Sequence, residues 1–361
     1  MSFGTESLVE VWRGGRIESE HRGAIAAVDA QGRVLAHLGD VDLMSYLRSS
    51  AKPFQLLPLI ESGAADRLGF TDRELAVIAG SHSGEPRHLE AVQSILNKIG
   101  LNNSALQCGI HVPFNAAAAR ALRAANQPAS VLHNNCSGKH AGMLAQAIDR
   151  GLSTADYLDP NHPVQISIRQ RLAELADLDV DAIGVGVDGC SAPCFALPLK
   201  NAALAFARLA EARSKMREAR NKMHEASTLA LARVVKVMVD YPEMVAGEGR
   251  LDTDLMRAAN GRAANGSTVN DRLFSKGGAE GFHGVGVLAQ GAQPAYGVAW
   301  KIGDGDGKRG GHPAVIEALR QLDVLDDEAL AALKSYHTWP ITNHRGLGVG
   351  EVKANFSLRF T

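Results

Sequence analysis

The sequence predicts a mixed α/β (α+β) fold in a single domain over 1–361. A mixed or antiparallel sheet is built from both chain ends, with a helical lobe over roughly 85–245. Three observations predict it. Alternating, β-branched segments stand near both ends. Helix-length apolar periodicity fills the middle. The 361 residues are enough to bury a large core and to divide it into two lobes. Regular strand–helix–strand alternation, the mark of a parallel sheet, is missing.

In chain order, SLVEVWR (7–13) alternates, and GAIAAVDAQGRVLAHLG (23–39) turns at Asp29-Ala30-Gln31-Gly32, so 7–38 reads as a hairpin-like pair of strands. Arg48 to Gly63 reads as a helix opening at Ser49 or Ser50, with Pro53 tolerated in its first turn. Thr71-Asp72-Arg73-Glu74 is a capping box ahead of LAVIAG. Glu85 to Gly100 is a second amphipathic helix, stopped by Gly100. SGKHAGMLAQAIDRG (137–151) reads as a helix with Ser137 near its N-cap and Gly151 past its end. VDAIGVGVDG (180–189) is β-rich, and 200–240 is one long helical region ending before Pro242. HGVGVLAQG (283–291) and AYGVAWKIG (295–303) restore the β texture. Asp304 to Gly311 is a glycine-rich turn, HPAVIEALRQL (312–322) a helix, and GVGEVKANFSLRF (348–360) a last strand.

The 38 Lys+Arg nearly balance 39 Asp+Glu, for a net charge of -1. No basic excess stands ready to neutralise a phosphate backbone, so no nucleic-acid partner is expected. No run of about 18 apolar residues could span a bilayer, so no membrane partner is expected. The stretch MSFGTESLVEVWRGGRIESE lacks the pattern of a secretory leader. The expected compartment is the cytoplasm, where thiols stay reduced, and four cysteines are too few for a disulfide framework in such a chain.

Three blocks carry hydroxyl and amine groups. In Arg48-Ser49-Ser50-Ala51-Lys52-Pro53, Ser49 and Lys52 are three apart, so on a helix they share one face. Serine is a weak nucleophile until a neighbour takes its proton. A lysine does so when burial or another cation lowers its pKa, and a helix start adds positive potential. The plain alternative is a capping serine beside a surface lysine. Gly80-Ser81-His82-Ser83-Gly84 is a hydroxyl-rich turn whose plain alternative is Ser83 capping the next helix. Ser275-Lys276-Gly277-Gly278-Ala279-Glu280-Gly281 precedes a strand, and its glycines admit a ligand close to the backbone; the alternative is an ordinary loop. Together they follow the element order of serine β-lactamases and penicillin-binding proteins, in which a second serine and a second lysine complete a proton relay.

Two blocks carry thiols: Asn134-Asn135-Cys136-Ser137-Gly138-Lys139-His140 and Asp188-Gly189-Cys190-Ser191-Ala192-Pro193-Cys194. Neither holds a C-x-x-C pair, so a closed four-cysteine zinc knuckle is not supported. A mixed metal site using Cys136 and Cys190 and simple buried thiols both stay open, the spacing favouring buried thiols. Cys108 and Cys194 read as packed thiols. Gly184-x-Gly186-x-x-Gly189 and Gly284-x-Gly286-x-x-Ala289 match a dinucleotide fingerprint, but neither has the strand–turn–helix setting a phosphate site needs. Asp304-x-Asp306-Gly307 lacks the other ligands of a calcium loop.

RSSAKPFQ (48–55), AGSHSGEP (79–86), HNNCSGKHAGML (133–144), GVDGCSAP (186–193) and SKGGAEG (275–281), in this order, resemble the rhizobial-type (class 3) L-asparaginases over nearly the whole chain. The resemblance implies hydrolysis of L-asparagine to L-aspartate and ammonia, a fold like that of serine β-lactamases and glutaminases, and a homodimer. It implies that Ser49 is the nucleophile with Lys52 its partner, and that Ser81 and Lys276 form the second Ser–Lys tandem. It also implies a zinc ion (Zn2+) held by Cys136, Lys139, Cys190 and water, with Asp188 beside it. A lysine binds zinc only when neutral, so Lys139 would need a strongly lowered pKa. Arg48 and Asp188 are the candidates for the α-carboxylate and α-amino groups of the substrate. Ala258 to Asp271 looks longer than the family's usual segment and reads as a surface loop or flap. The alternatives are a glutaminase or β-lactam-type serine hydrolase and, outside enzymes, a metal-thiolate binding protein.

Overall fold

The computed structural model describes residues 4–218, 226–261 and 270–361. The strands, in chain order, are β1 (Glu6–Arg13), β2 (Arg16–Asp29), β3 (Val34–Leu38), β4 (Met44–Tyr46), β5 (Gly184–Val187), β6 (Pro193–Pro198), β7 (Leu273–Gly277), β8 (Phe282–Val287), β9 (Tyr296–Ile302), β10 (Thr338–Thr342), β11 (Gly348–Ala354) and β12 (Arg359–Phe360). The helices are α1 (Lys52–Glu61), α2 (Ala64–Arg67), α3 (Asp72–Ile78), α4 (Pro86–Lys98), α5 (Ala116–Ala124), α6 (Ser137–Asp149), α7 (Pro163–Ala176), α8 (Leu199–Glu218), α9 (Ala226–Asp240), α10 (Pro242–Val245), α11 (Leu251–Asn260), α12 (His312–Gln321), α13 (Asp327–Ala332) and α14 (Lys334–His337). The fold is mixed α/β, with its large sheet drawn from both chain ends and helices dominating the middle, as the sequence predicts. No helix among the described residues is long and apolar enough to cross a membrane.

The chain divides into two compact units. One comprises Met1–Ser50, Leu197–Glu211 and Asp254–Thr361, and the other Ala51–Ala196 and Ala212–Thr253. The first holds the large sheet, in the order β10-β11-β1-β2-β9-β8-β7, with β3 on β2 and β12 on β3. The pairs β1–β2, β2–β9, β8–β9 and β7–β8 are antiparallel. The fourteen residues of β2 make this order possible. Its first half takes β1, and its second half takes β3 and β9. Gly14 and Gly15, both at positive φ, turn the chain between β1 and β2. The expected pair of strands over 7–38 is therefore three, because this glycine turn falls inside a charged stretch rather than between apolar runs. β10 holds Pro340, which would argue against an interior strand; as an edge strand it accommodates a residue without an N–H.

One face of this sheet is nearly bare so that α8 can press against it. A Cβ on Gly284 would stand 2.2 Å from the Phe206 ring, and one on Gly297 would stand 1.9 Å from the Ala203 carbonyl oxygen. A Cβ on Gly286 would reach the Phe274 ring at 2.0 Å. The second fingerprint-like glycine set is thus a packing device, which bears out its rejection as a phosphate site.

The second unit is mainly helical. Thr71 and Glu74 make the expected capping box at the start of α3. Phe54, Leu75, Leu144, Ile168 and Val235 are buried in its core. β5 and β6 pair as an antiparallel hairpin. The long helical region over 200–240 is described as α8 and α9, and residues 219–225 lie outside the described residues. Of the Ala258 to Asp271 stretch, 262–269 likewise lie outside them. Asn260 holds the segment where it rejoins the sheet: its side chain accepts from the Arg272 and Leu273 N–H groups at 2.8 and 2.9 Å and donates to the Leu273 carbonyl at 2.9 Å.

In the sheet unit, Glu317 of α12 accepts hydrogen bonds from Arg320, Gln321 and His337. Burial pushes its carboxyl up, but these donors outweigh it and hold the pKa down at about 2. A depressed carboxylate stabilises the fold above its unfolded pKa and loses that contribution as pH falls through its folded pKa. Glu317→Gln should lower the unfolding free energy by about 2–3 kcal/mol at pH 7, with the gap closing between about pH 4.5 and pH 2. Urea unfolding across that range checks it, and a pH-independent gap would contradict it.

Candidate active site

The sequence-predicted residues fall into two groups. Lys52, Ser81, Cys136, Lys139, Asp188 and Cys190 belong to the helical unit, and Arg48, Ser49 and Lys276 to the sheet unit. Each group is built by its own local chemistry.

In the helical unit the assembly begins with Lys52, the first residue of α1. It is buried, and its Nζ donates to Ser81 Oγ at 2.8 Å and to the Asn135 carbonyl at 3.2 Å. Burial drives its pKa down, and the neighbouring Cys136 opposes that shift. The surface-lysine alternative therefore fails. Ser81 is fixed by its own backbone, whose N–H donates to the Val245 carbonyl at 2.7 Å. Gly80 lies so close that a Cβ would stand 2.7 Å from the Val245 carbonyl oxygen. Ser83 does not cap α4, whose N-cap is Glu85. It donates instead to the Ala246 carbonyl at 2.7 Å, pinning the turn from below.

His82 links this turn to the thiol block. The Gly84 N–H donates to its Nδ1 at 3.2 Å, so Nε2 carries the proton and donates to Ser137 Oγ at 2.9 Å. Ser137 passes its own proton to the Leu132 carbonyl at 3.0 Å. Burial, then the charges of His88 and Lys52, hold the His82 pKa well below the usual histidine range. It stays a neutral strut. The start of α6 needs glycines because it packs against the end of α3: a Cβ on Gly138 would lie 2.4 Å from the Val77 carbonyl oxygen, and one on Gly142 would lie 2.5 Å from Ile78. These contacts explain SGKHAG in physical terms.

None of the four cysteines is in a disulfide, and all are buried. Lys139 Nζ lies 2.9 Å from Cys190 Sγ. A hydrogen bond from Cys190, aided by Lys52 and Lys139, holds the Cys136 thiol well below the ordinary range, while Cys190, as donor, is pushed up. The pair therefore shares one thiolate. Burial lowers the Lys139 pKa, but Cys136 and Cys190 outweigh burial and hold it above the ordinary lysine value. This is the opposite direction to the lowering a zinc-bound lysine requires. Asp188 N–H donates to the Ala192 carbonyl, and Ser191, at φ 68, closes the turn that sets Cys190 beside Lys139. Asp188 adds negative charge near Lys139. Burial pushes the Cys108 thiol up to about 12, as befits a packed thiol.

Among the described residues no three His, Cys, Asp or Glu side chains gather as a metal set. The Cys136–Cys190–Lys139 trio lies outside that class because its third donor is an amine. Two thiols and an amine, all buried and with Cys190 in contact with both others, fit zinc by donor chemistry. The 2.9 Å Lys139–Cys190 separation is a hydrogen-bond distance. Cys136, Lys139 and Cys190 would hold the ion only with the lysine proton given up.

In the sheet unit, Arg48–Ala51 forms a 3-10 turn just before α1. Ser49 thus lies in a 3-10 turn rather than in the α-helix expected to open there, and positions three apart in such a turn still fall on one side. Pro53 has no N–H to bond back to the Ser49 carbonyl, so the chain closes the tighter turn instead. Arg48 sits at φ 50 and approaches Glu280 at 3.9 Å, the outer limit of an ion pair. Lys276 is buried in β7, and its Nζ donates to the Gly277 carbonyl at 2.7 Å. Ser50 donates to the Lys276 carbonyl at 2.6 Å. Lys301 of β9 donates to the Glu280 carbonyl, with its pKa lowered by burial. His82 and Lys301 escape sequence reading, and Ser50 and Ser137 are read there only as helix starts. Each sits beside a recognisable block, but its partner lies far along the chain.

The helical unit offers a buried lysine against a serine hydroxyl and an acidified Cys136 thiol, and the sheet unit offers a second buried lysine in β7. A family model described as L-asparaginase II matches residues 9–354. No curated protein matches the chain. Among solved structures, the chain is similar to a probable glutaminase from Bacillus subtilis complexed with 6-diazo-5-oxo-L-norleucine, at 12% identity and TM-score 0.38 over 84% of each chain. It is similar to a Bacillus glutaminase in 4.3 M NaCl, at 12% identity and TM-score 0.37 over 84% of this chain and 91% of that one. The native form of Mglu follows at 14% identity and TM-score 0.39, over 85% of this chain and 66% of that one.

Proposed function

We propose that this chain, which belongs to the L-asparaginase II family and is thereby an amidohydrolase, hydrolyses L-asparagine to L-aspartate and ammonia through Ser49. The observation that carries the reading is Lys52: three residues after Ser49, buried, and 2.8 Å from the Ser81 hydroxyl, it is the amine best placed to act as a base. Burial lowers the cost of its neutral form.

Lys52 takes the proton of Ser49, whose Oγ attacks the carbon of the side-chain amide. The oxyanion that forms needs fixed donors, and the Ser49 backbone N–H is the candidate. Ser81 and Lys276 are assigned the return of a proton to the leaving nitrogen, so ammonia departs and an ester to Ser49 remains. Water then adds to the ester, releases aspartate and restores the hydroxyl. Arg48 and Asp188 are assigned the α-carboxylate and the α-ammonium of the substrate.

Cys136, Lys139 and Cys190 are the residues that would hold zinc. When bound, the ion supplies Lewis acidity and a fixed positive charge. The protein's own part is to keep the thiols dry, to hold one of them ionised and to aim the amine. We assign this site to substrate affinity rather than to the bond-breaking step, and we place the enzyme in the cytoplasm as a homodimer.

Ammonia release from asparagine should fall at least about 1,000-fold in Ser49→Ala, and wild type should favour asparagine over glutamine and leave a chromogenic β-lactam intact. Full activity in Ser49→Ala rejects the nucleophile. Metal binding without turnover in wild type would leave a metal-thiolate binding protein. Chelation should raise KM for asparagine about tenfold or more and leave kcat within a few-fold, because uniform binding is lost rather than transition-state stabilisation. Complete, reversible loss of turnover at saturating substrate would instead put the metal in the chemical step.

A further inference from the structure

We propose that Ser50 is a positioning residue, whose buried hydroxyl ties the turn carrying Ser49 to the strand carrying Lys276. The inference rests on the reading of Ser49 as nucleophile. Every group in the argument lies within the sheet unit.

Ser50 is fully buried, and its Oγ donates to the Lys276 carbonyl at 2.6 Å. Its own N–H donates to the Leu47 carbonyl at 3.0 Å, closing the turn. The strand approaches that turn without a side chain in the way. A Cβ on Gly278 would stand 2.5 Å from the Leu47 carbonyl oxygen and 3.1 Å from Ser50 Oγ. The Gly278 N–H donates to the Phe282 carbonyl at 2.8 Å, which fixes the strand's own exit. On the other flank, Arg48 is held at φ 50, a backbone state that a non-glycine residue keeps only when its surroundings impose it.

Ser49 is thus bracketed by a strained residue and an anchored one. The direction of its Cα–Cβ bond follows from the backbone of both. Deleting the Ser50 hydroxyl would leave the Lys276 carbonyl without this donor and let the turn relax. Substrate groups would still find their partners, but the attacking oxygen would be displaced. Loss should therefore appear in the bond-forming step before it appears in binding, since a displacement of about 1 Å costs roughly 100-fold.

The test labels Ser49 with 5-diazo-4-oxo-L-norvaline, a diazoketone analogue of asparagine. The hydroxyl proton passes to the diazo carbon, an Oγ–C bond forms and N2 leaves. Peptide mass spectrometry gives the site and the rate in wild type, Ser50→Ala and Ser50→Cys, with circular dichroism confirming the fold. We expect Ser50→Ala to label Ser49 about 100-fold more slowly, with KM for asparagine within about threefold of wild type. Ser50→Cys, which keeps a weak donor, should fall between them. If Ser50→Ala does not fold, the cysteine variant carries the same comparison. Labelling of folded Ser50→Ala within about twofold of wild type, or a raised KM with unchanged kcat, overturns the assignment. A wild type that takes no label at Ser49 fails earlier and differently: it removes the nucleophile, and the positioning role with it.

Discussion

The helical part of the site depends on one buried amine. Lys52 enters the protein interior at the first residue of α1 and is satisfied by a serine hydroxyl and a backbone carbonyl rather than by a carboxylate. Burial favours the neutral amine, and although the neighbouring Cys136 opposes that shift, burial outweighs it. Everything around Lys52 serves that arrangement. Gly80 and Gly138 let backbones close in where a methyl group would not fit. His82 fixes the distance between the serine turn and the thiol helix while adding no charge.

The same economy explains the thiol cluster. Lys139 and Cys136 are both buried, and an isolated charge on either would be costly. Together with Cys190 they form a buried set in which thiol and amine offset each other's charge. Its donors suit zinc once the lysine proton is removed. A site of this kind couples metal affinity to pH by construction, because protons and metal compete for the same atoms.

Much of the fold is legible in the sequence where local signals suffice. The capping box at Thr71, the glycine stop at Gly100 and the β texture of β8 and β9 all act within a few residues. Legibility fails where the deciding contact is distant. The strand holding Pro340 is visible only once it is known to lie at a sheet edge. Gly284 and Gly286 match a nucleotide fingerprint in spacing, and their packing role shows only once Phe206 and Phe274 are seen against them. In the site, residue types and spacing point to Ser49, Lys52, Ser81 and Lys276, because nucleophile and base must be close. Ser50, His82 and Ser137 carry no such signature. Their partners lie 226 and 55 positions away in sequence, so only the folded chain reveals them.

The central claim is that a buried, proton-poor Lys52 activates Ser49. The most direct measurement is asparagine turnover by a folded Lys52→Ala variant at saturating substrate. The account predicts a fall in kcat of at least about 100-fold, partly restored by a small primary amine added to the assay. Unchanged turnover in Lys52→Ala would contradict it.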